Sequence, residues 1–263
     1  MRVPEVFDLT DRVAIVTGAG SATGIGFASA VLLGQLGASV MLGATSDRVE
    51  ERVDELRAQG VDAACTLGDL TAEDAADDLV QAAVDRWGRV DILVNNAGMV
   101  STSDPDFESG TVGDLSLETW RSSMRRNVDS AFLVSRAALP RMLDEGWGRI
   151  VMVTSVTGPV MAMKADVAYA SSKAAMVGLM RALAVDSAPR GVTVNAVAPG
   201  WIATGSQTDS EVGQGRVTPV GRSGTPQEVA GAIAWLCSLG ASYTTGQCLL
   251  VDGGNSIAEE RIV

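Results

Sequence analysis

The 263-residue sequence contains no histidine. Histidine is the only side chain whose unperturbed pKa lies near neutrality. Any proton transfer must therefore fall to a carboxylate, a cysteine or a phenol whose pKa is strongly lowered. Cysteine is scarce as well: Cys65, Cys237 and Cys248 form no C-x-x-C pair. They read as reduced core residues, which argues against a disulfide framework or a metal site and points to a reducing, cytoplasmic compartment. Basic residues are few, with 20 Lys plus Arg against 32 Asp plus Glu and a net charge of −12. Without a basic cluster to follow a phosphate backbone, nucleic acid is not an expected partner, and the acidic surplus reads as a solubilising surface. No run reaches the roughly 18 apolar residues of a membrane span, and MRVPEVFDLTDR lacks the apolar stretch of a signal peptide.

What is present is a 46% apolar chain, long enough to bury one α/β core, so a single domain over 1–263 is expected. Short β-branched runs at 13–16, 39–42, 62–66, 91–95, 149–154, 193–197 and 248–251 alternate with helical segments. Seven such strands separated by helices predict a Rossmann-type, doubly wound, seven-stranded parallel sheet in a three-layer α/β/α arrangement. Helices predicted over 26–37, 47–60 and 72–88 end at Gly37, Gly60 and Gly88, and Asp47 with Glu50 resembles a capping box. Two polar, glycine-rich stretches break the alternation, at 99–114 and 201–219. Both follow strands at the sheet edge where open α/β folds bind ligands, and the second carries no obvious amphipathic helix.

The loop in 13-VAIVTGAGSATGIG-26 joins the first strand to the first helix. Its glycines let backbone amides and a helix N-terminus approach a pyrophosphate. A second polar loop, in 91-DILVNNAG-98, lies across the switch point, and the two together predict a nucleotide crevice. In 167-VAYASSKAAM-176, Tyr169 and Lys173 are four residues apart and share a helix face. A free phenol titrates near pH 10, so its use as a base near pH 7 needs about 4 kcal/mol of preference for phenolate. The ammonium and an oxidised nicotinamide ring, both positive, can supply that between them. Ser155 lies at the end of the fifth strand, where its hydroxyl can bond a substrate oxygen.

With these motifs the chain resembles the short-chain dehydrogenase/reductase family over essentially its whole length, in the single-domain branch that includes 3-oxoacyl-carrier-protein reductases. The resemblance implies a catalytic set of Asn127, Ser155, Tyr169 and Lys173. Tyr169 passes the proton, Lys173 lowers its pKa and binds the nicotinamide ribose, Ser155 polarises the substrate oxygen, and Asn127 holds a water in a relay. Thr17, Gly18, Gly24, Ile25 and Gly26 match the family's cofactor loop, Asp69 and Leu70 the adenine side, Asn95, Asn96, Ala97 and Gly98 the NNAG signature, and Pro199, Gly200, Ile202 and Thr204 the nicotinamide side. The implied reaction is hydride exchange between a nicotinamide cofactor and a secondary alcohol or ketone of small to medium size. The implied assembly is a homotetramer built on helices beginning near Ser116 and Ala168.

The sequence departs from the family pattern in three places. Gly18 and Gly24 enclose five residues where the family loop has three. Ser155 precedes Tyr169 by one residue more than in bacterial 3-oxoacyl-carrier-protein reductases, and the 99–114 segment is longer. The three-residue gap between tyrosine and lysine argues against enoyl reduction. Two other readings stay open: a 3-oxoacyl-carrier-protein reductase, and a nucleotide-sensing protein without catalysis, against which the complete four-residue set counts. At the end of the second strand, Gly43 and Ala44 stand where an NAD enzyme commonly has an acid for the ribose hydroxyls. With Thr45, Ser46 and Arg48 nearby, NADP is the expected cofactor; Asp47 folding back onto the ribose is the route to NAD.

Overall fold

A computed structural model describes residues 3–98 and 109–260. Its strands are β1 (Val13–Thr17), β2 (Ser39–Ala44), β3 (Ala63–Leu67), β4 (Ile92–Asn95), β5 (Gly148–Val153), β6 (Val192–Pro199) and β7 (Cys248–Val251). All seven pair in parallel in the order β3-β2-β1-β4-β5-β6-β7, so the strand order reverses direction between β1 and β4. The helices are α1 (Ile25–Gln35), α2 (Arg48–Ala58), α3 (Glu73–Trp87), α4 (Leu117–Met124), α5 (Ser130–Glu145), α6 (Val167–Ser187), α7 (Asp209–Arg216) and α8 (Pro226–Cys237).

Because successive strand residues face opposite sides, the central strands feed two separate cores. Ala14, Val16, Val40 and Leu42 pack with Leu33 of α1, Leu56 of α2 and Ile233 of α8. Val13, Ile15 and Met41 pack with Leu79 of α3, Val134 of α5 and Met180 of α6 on the other face. This is the three-layer, doubly wound architecture expected from the alternating runs.

At the N-terminal edge of the sheet the buried Asp91 carboxylate holds β1 to β4. It accepts from the Val13 amide at 2.9 Å, from Arg12 at 2.9 Å and from Arg89 at 2.7 Å. Gly37, Gly60 and Gly88 follow their helices with φ of 107°, 83° and 77°, the left-handed conformation that suits glycine. One expectation changes. Asp47 forms no capping box: its backbone is already helical, with φ −58° and ψ −19°, and its side chain makes no capping bond. An N-cap needs extended backbone, and here the turn closes through main-chain bonds from Val49 to Ser46 and from Glu50 to Asp47. The 201–219 stretch carries no amphipathic helix, as expected, but a short polar one, α7, started by a capping box between Thr208 and Glu211. Of the 99–114 stretch, residues 99–108 lie outside the described residues.

Candidate active site

Every residue assigned to the site from sequence that lies in a loop follows a C-terminal strand end, the edge at which open α/β sheets bind ligands. Thr17 ends β1 with its hydroxyl buried. It accepts from the Asn96 amide at 3.0 Å and the Ala97 amide at 2.9 Å, which locks the loop after β4 against the loop after β1. The Asn96 carboxamide returns the link, donating to the main-chain oxygens of Thr17 at 3.0 Å and Gly18 at 3.1 Å. Asn95 points away from this junction. It is buried and donates to the Ser135 hydroxyl at 2.9 Å, anchoring β4 to α5.

Two glycines are required where the loops meet. Gly18 has φ +66°, and a Cβ on it would lie 2.9 Å from Cα of Ala97; a Cβ on Gly26 would lie 2.5 Å from the Asn96 side chain. Gly24 caps α1 without any side-chain bond, which leaves the first-turn amides directed at the crevice. A bare helix N-terminus beside a backbone-lined loop fits a pyrophosphate. On the adenine side, Thr45 and Ser46 follow β2, and Arg48 opens α2 with its Nε 3.3 Å from the Ser46 hydroxyl oxygen. Asp69 accepts from the Thr71 amide at 3.0 Å and shapes the turn after β3. Leu70 is buried in the core, so only its main chain can face a ligand.

The proton-handling residues sit where β5, α6 and the helix preceding α5 meet. Lys173 is buried, and its ammonium donates to the Val153 main-chain oxygen at 3.1 Å. The same ammonium is 5.6 Å from the centroid of the Tyr169 ring. Ser155 lies two residues beyond β5, and its hydroxyl accepts from the Thr157 amide at 3.1 Å. This loop rests against the tyrosine's helix, because Gly158, at φ +102°, leaves no room for a Cβ beside the Ala170 carbonyl.

Asn127 is fully buried in a π-helical turn, Arg125–Asp129, between α4 and α5. Such wide turns are frequent at functional sites. Its carboxamide nitrogen donates to Ser123 O at 3.1 Å, while its oxygen has no hydrogen-bond partner among the described residues. That orphaned acceptor faces the backbone of Gly98, whose φ of +135° and missing Cβ make room for it. A buried acceptor of this kind fits a water. On the far side, Gly200 packs on Asp252, Ile202 pairs with Gly224, and the Thr204 hydroxyl lies 3.0 Å from that of Ser206. Sequence reasoning missed the Val153 carbonyl and the π turn, neither of which has a side-chain signature.

The family model described as enoyl-(acyl carrier protein) reductase matches residues 18–256. A 3-oxoacyl-[acyl-carrier-protein] reductase of Synechocystis is 36% identical, over 94% of this chain and 97% of that protein. A cis-4-hydroxycyclohexanecarboxylate dehydrogenase of Sinomonas cyclohexanicum is 37% identical, over 93% and 96%. Among solved structures, 7α-hydroxysteroid dehydrogenase with NADH and 7-oxo glycochenodeoxycholic acid superposes with a TM-score of 0.88, at 34% identity over 97% of this chain and 98% of that one. A proposed NAD(P)-dependent gluconate 5-dehydrogenase of Beutenbergia cavernae, with NADP at low occupancy, gives 0.87, at 37% identity over 96% and 100%.

Proposed function

The chain belongs to the short-chain dehydrogenase/reductase family, and on that premise we propose that Asn127, Ser155, Tyr169 and Lys173 carry its chemistry. It is an NAD(P)-dependent oxidoreductase acting on a secondary alcohol and the corresponding ketone. The observation that carries the assignment of roles is the buried Lys173 ammonium, fixed to β5 at 3.1 Å and one helical turn from Tyr169. A cation held there favours phenolate, so the tyrosine can give a proton to a ketone oxygen or take one from an alcohol near neutral pH. Ser155 donates its hydroxyl to the same substrate oxygen and stabilises the charge that develops on it. Asn127 holds a water that connects the lysine to solvent. The nicotinamide, once bound, supplies or accepts the hydride. Thr17, Gly18, Gly24, Ile25, Gly26, Asn96, Ala97 and Gly98 line its pyrophosphate and ribose side, Asp69 and Leu70 flank the adenine, and Pro199, Gly200, Ile202 and Thr204 flank the nicotinamide.

The Arg48 and Ser46 pair after β2 supports NADP over NAD, because both groups donate to a 2′-phosphate and no carboxylate ends β2 to repel it. The tyrosine–lysine gap of three residues supports carbonyl over enoyl reduction, despite the description of the matched family model. A homotetramer is supported by the apolar side chains that α5 and α6 leave exposed, Phe132 at 45% and Val185 at 76%. A single domain over 1–263 in the cytoplasm completes the reading; among the described residues no helix is long and apolar enough to cross a membrane.

A second reading, 3-oxoacyl-carrier-protein reduction, is favoured by the Synechocystis relative and by the exposed Arg121 and Arg125, one turn apart, which suit an acidic carrier; Arg126, the third arginine of that stretch, is half-buried with one guanidinium nitrogen out of solvent. Reduction of a ketone panel with NADPH and NADH, with free and carrier-linked 3-oxoacyl thioesters, decides between them. A free ketone turned over at least tenfold more efficiently than the carrier-linked thioester sustains the first reading, and the reverse order replaces it with the second. No turnover of any carbonyl overturns both.

A further inference from the structure

The loop between Gly18 and Gly24 encloses five residues where the family pattern has three, and the last of the five, Thr23, makes a long-range contact. A turn closed by the Gly24 amide on Ser21 O, at 3.1 Å, presents Thr23 at the tip of the loop. The Thr23 hydroxyl accepts from the main-chain N–H of Gly205 at 2.9 Å, across 182 positions of sequence. Gly205 lies in the segment after β6, which is fastened on its other side: the Ala203 amide donates to Gly224 O at 2.8 Å, and Gln207 donates to the Ser223 hydroxyl at 2.8 Å. In the sheet β1 and β6 are separated by β4 and β5. The Thr23–Gly205 bond therefore bridges the C-terminal edge of two intervening strands, over the crevice whose floor is the loop after β4. Gly205 suits this position because a Cβ there would stand 2.5 Å from the Thr23 hydroxyl oxygen.

We propose that Thr23 and Gly205 form a strap across the cofactor crevice that slows release of the bound dinucleotide, making Thr23 a positioning residue. The proposal rests on the crevice holding NAD(P). A ligand lying between the glycine loop and the β6 segment leaves only when the two part, so a bond joining them adds to the barrier for release and adds nothing to the hydride step. Entry needs the same parting, so its effect belongs in the cofactor on- and off-rates together, with cofactor Kd and with kcat at saturating cofactor undiminished.

The test is a displacement experiment that follows fluorescence of bound NADPH in the wild type, Thr23→Val, Thr23→Ser, Gly205→Ala and the Thr23→Val/Gly205→Ala double variant. Thr23→Val keeps the shape and removes the acceptor, while Gly205→Ala keeps the loop and forces the partners apart. Each is expected to release NADPH about fivefold faster, the effect of one hydrogen bond, with NADPH Kd within twofold of the wild type. Thr23→Ser is expected to stay within twofold of the wild type. The double variant should release no more than about twofold faster than either single variant, because both remove the same bond. An unchanged off-rate in Thr23→Val, or effects that multiply in the double variant, overturns the strap while leaving the cofactor reading intact. A wild-type protein that binds neither NADPH nor NADH overturns the cofactor reading and the strap with it.

Discussion

The Lys173 ammonium and the Val153 main-chain oxygen meet at 3.1 Å, which pins α6 to the end of β5 two residues before Ser155. One bond thus fixes the spacing between the strand that carries the serine and the helix that carries the tyrosine. Tyr169→Phe keeps the ring packed and removes the transferable proton. It is expected to lower kcat more than a hundredfold, about 2.7 kcal/mol, with cofactor Kd within twofold of wild type. Retention of more than a tenth of the wild-type kcat sinks the proton role. Lys173→Ala should lose both rate and cofactor affinity, and an unchanged Kd removes its ribose contact.

Asn127 offers a buried carboxamide oxygen with no hydrogen-bond partner among the described residues, beside Gly98, in a π turn that joins α4 to α5. If that oxygen holds a relay water, Asn127→Ala should lower kcat about tenfold or more at neutral pH while cofactor Kd and the circular dichroism spectrum stay as in wild type. A wild-type kcat in the variant overturns the relay. A collapsed spectrum instead assigns the residue to the fold alone.

The motifs assigned to binding and reaction were legible because each depends on a short local spacing: the glycine loop at 18–26, the NNAG signature at 95–98, and Tyr169 with Lys173. Strand runs were legible because both sheet faces are covered and the strands are continuously apolar. What could not be read depends on partners without a sequence signature. Lys173 is held by a carbonyl, Thr23 by an amide 182 positions away, and Asn127 by a helical irregularity. The helix α7 stayed hidden because its polar surface has no apolar period, and only its Thr208–Glu211 box marks it. The Asp47–Glu50 pattern carried the same local letters without the extended backbone a cap needs.

Asp91 gathers Arg12, Arg89 and the Val13 amide on one fully buried carboxylate. Replacing it with alanine removes the carboxylate that pairs with Arg12, leaves Arg89 only Glu145 at 3.7 Å, and leaves a buried amide without an acceptor. The expected loss is about 3 kcal/mol, the low end for a broken buried pair because both arginines are about one-third exposed. Urea denaturation of Asp91→Ala checks this, and a loss under about 1 kcal/mol contradicts it.

Burial pushes the Cys237 thiol up to about 12. Burial also raises Cys65 and Cys248, with Glu50 adding to the effect at Cys65. The thiolate is the reactive form, so at pH 8 Cys237 should not react with a thiol reagent until the protein unfolds. The folded state favours the neutral thiol, so this group's contribution to stability is complete below its unfolded value near 9 and fades as pH rises toward 12. The stability advantage of wild type over Cys237→Ala should therefore shrink across that interval in urea melts. Labelling of all three thiols in the native protein at pH 8 contradicts the burial.

Cofactor choice turns on the end of β2 and on Ser46 and Arg48 beyond it. A Cβ on Gly43 would lie 2.9 Å from a Leu79 methyl group, which would have to turn aside for a larger residue, and the Ala44 side chain offers no acceptor to a ribose hydroxyl. Arg48 and Ser46, already 3.3 Å apart, can close on a 2′-phosphate with charge-assisted bonds. NADPH is expected to exceed NADH in kcat/KM by at least tenfold. Arg48→Ala should lower kcat/KM for NADPH about tenfold and leave NADH within twofold, since only the phosphate is lost as a partner. Ala44→Asp should act in the opposite sense on the two cofactors, raising NADH use and repelling the phosphate. Equal use of both cofactors by the wild type sinks the preference, and a tenfold preference that survives Arg48→Ala assigns the phosphate to other residues.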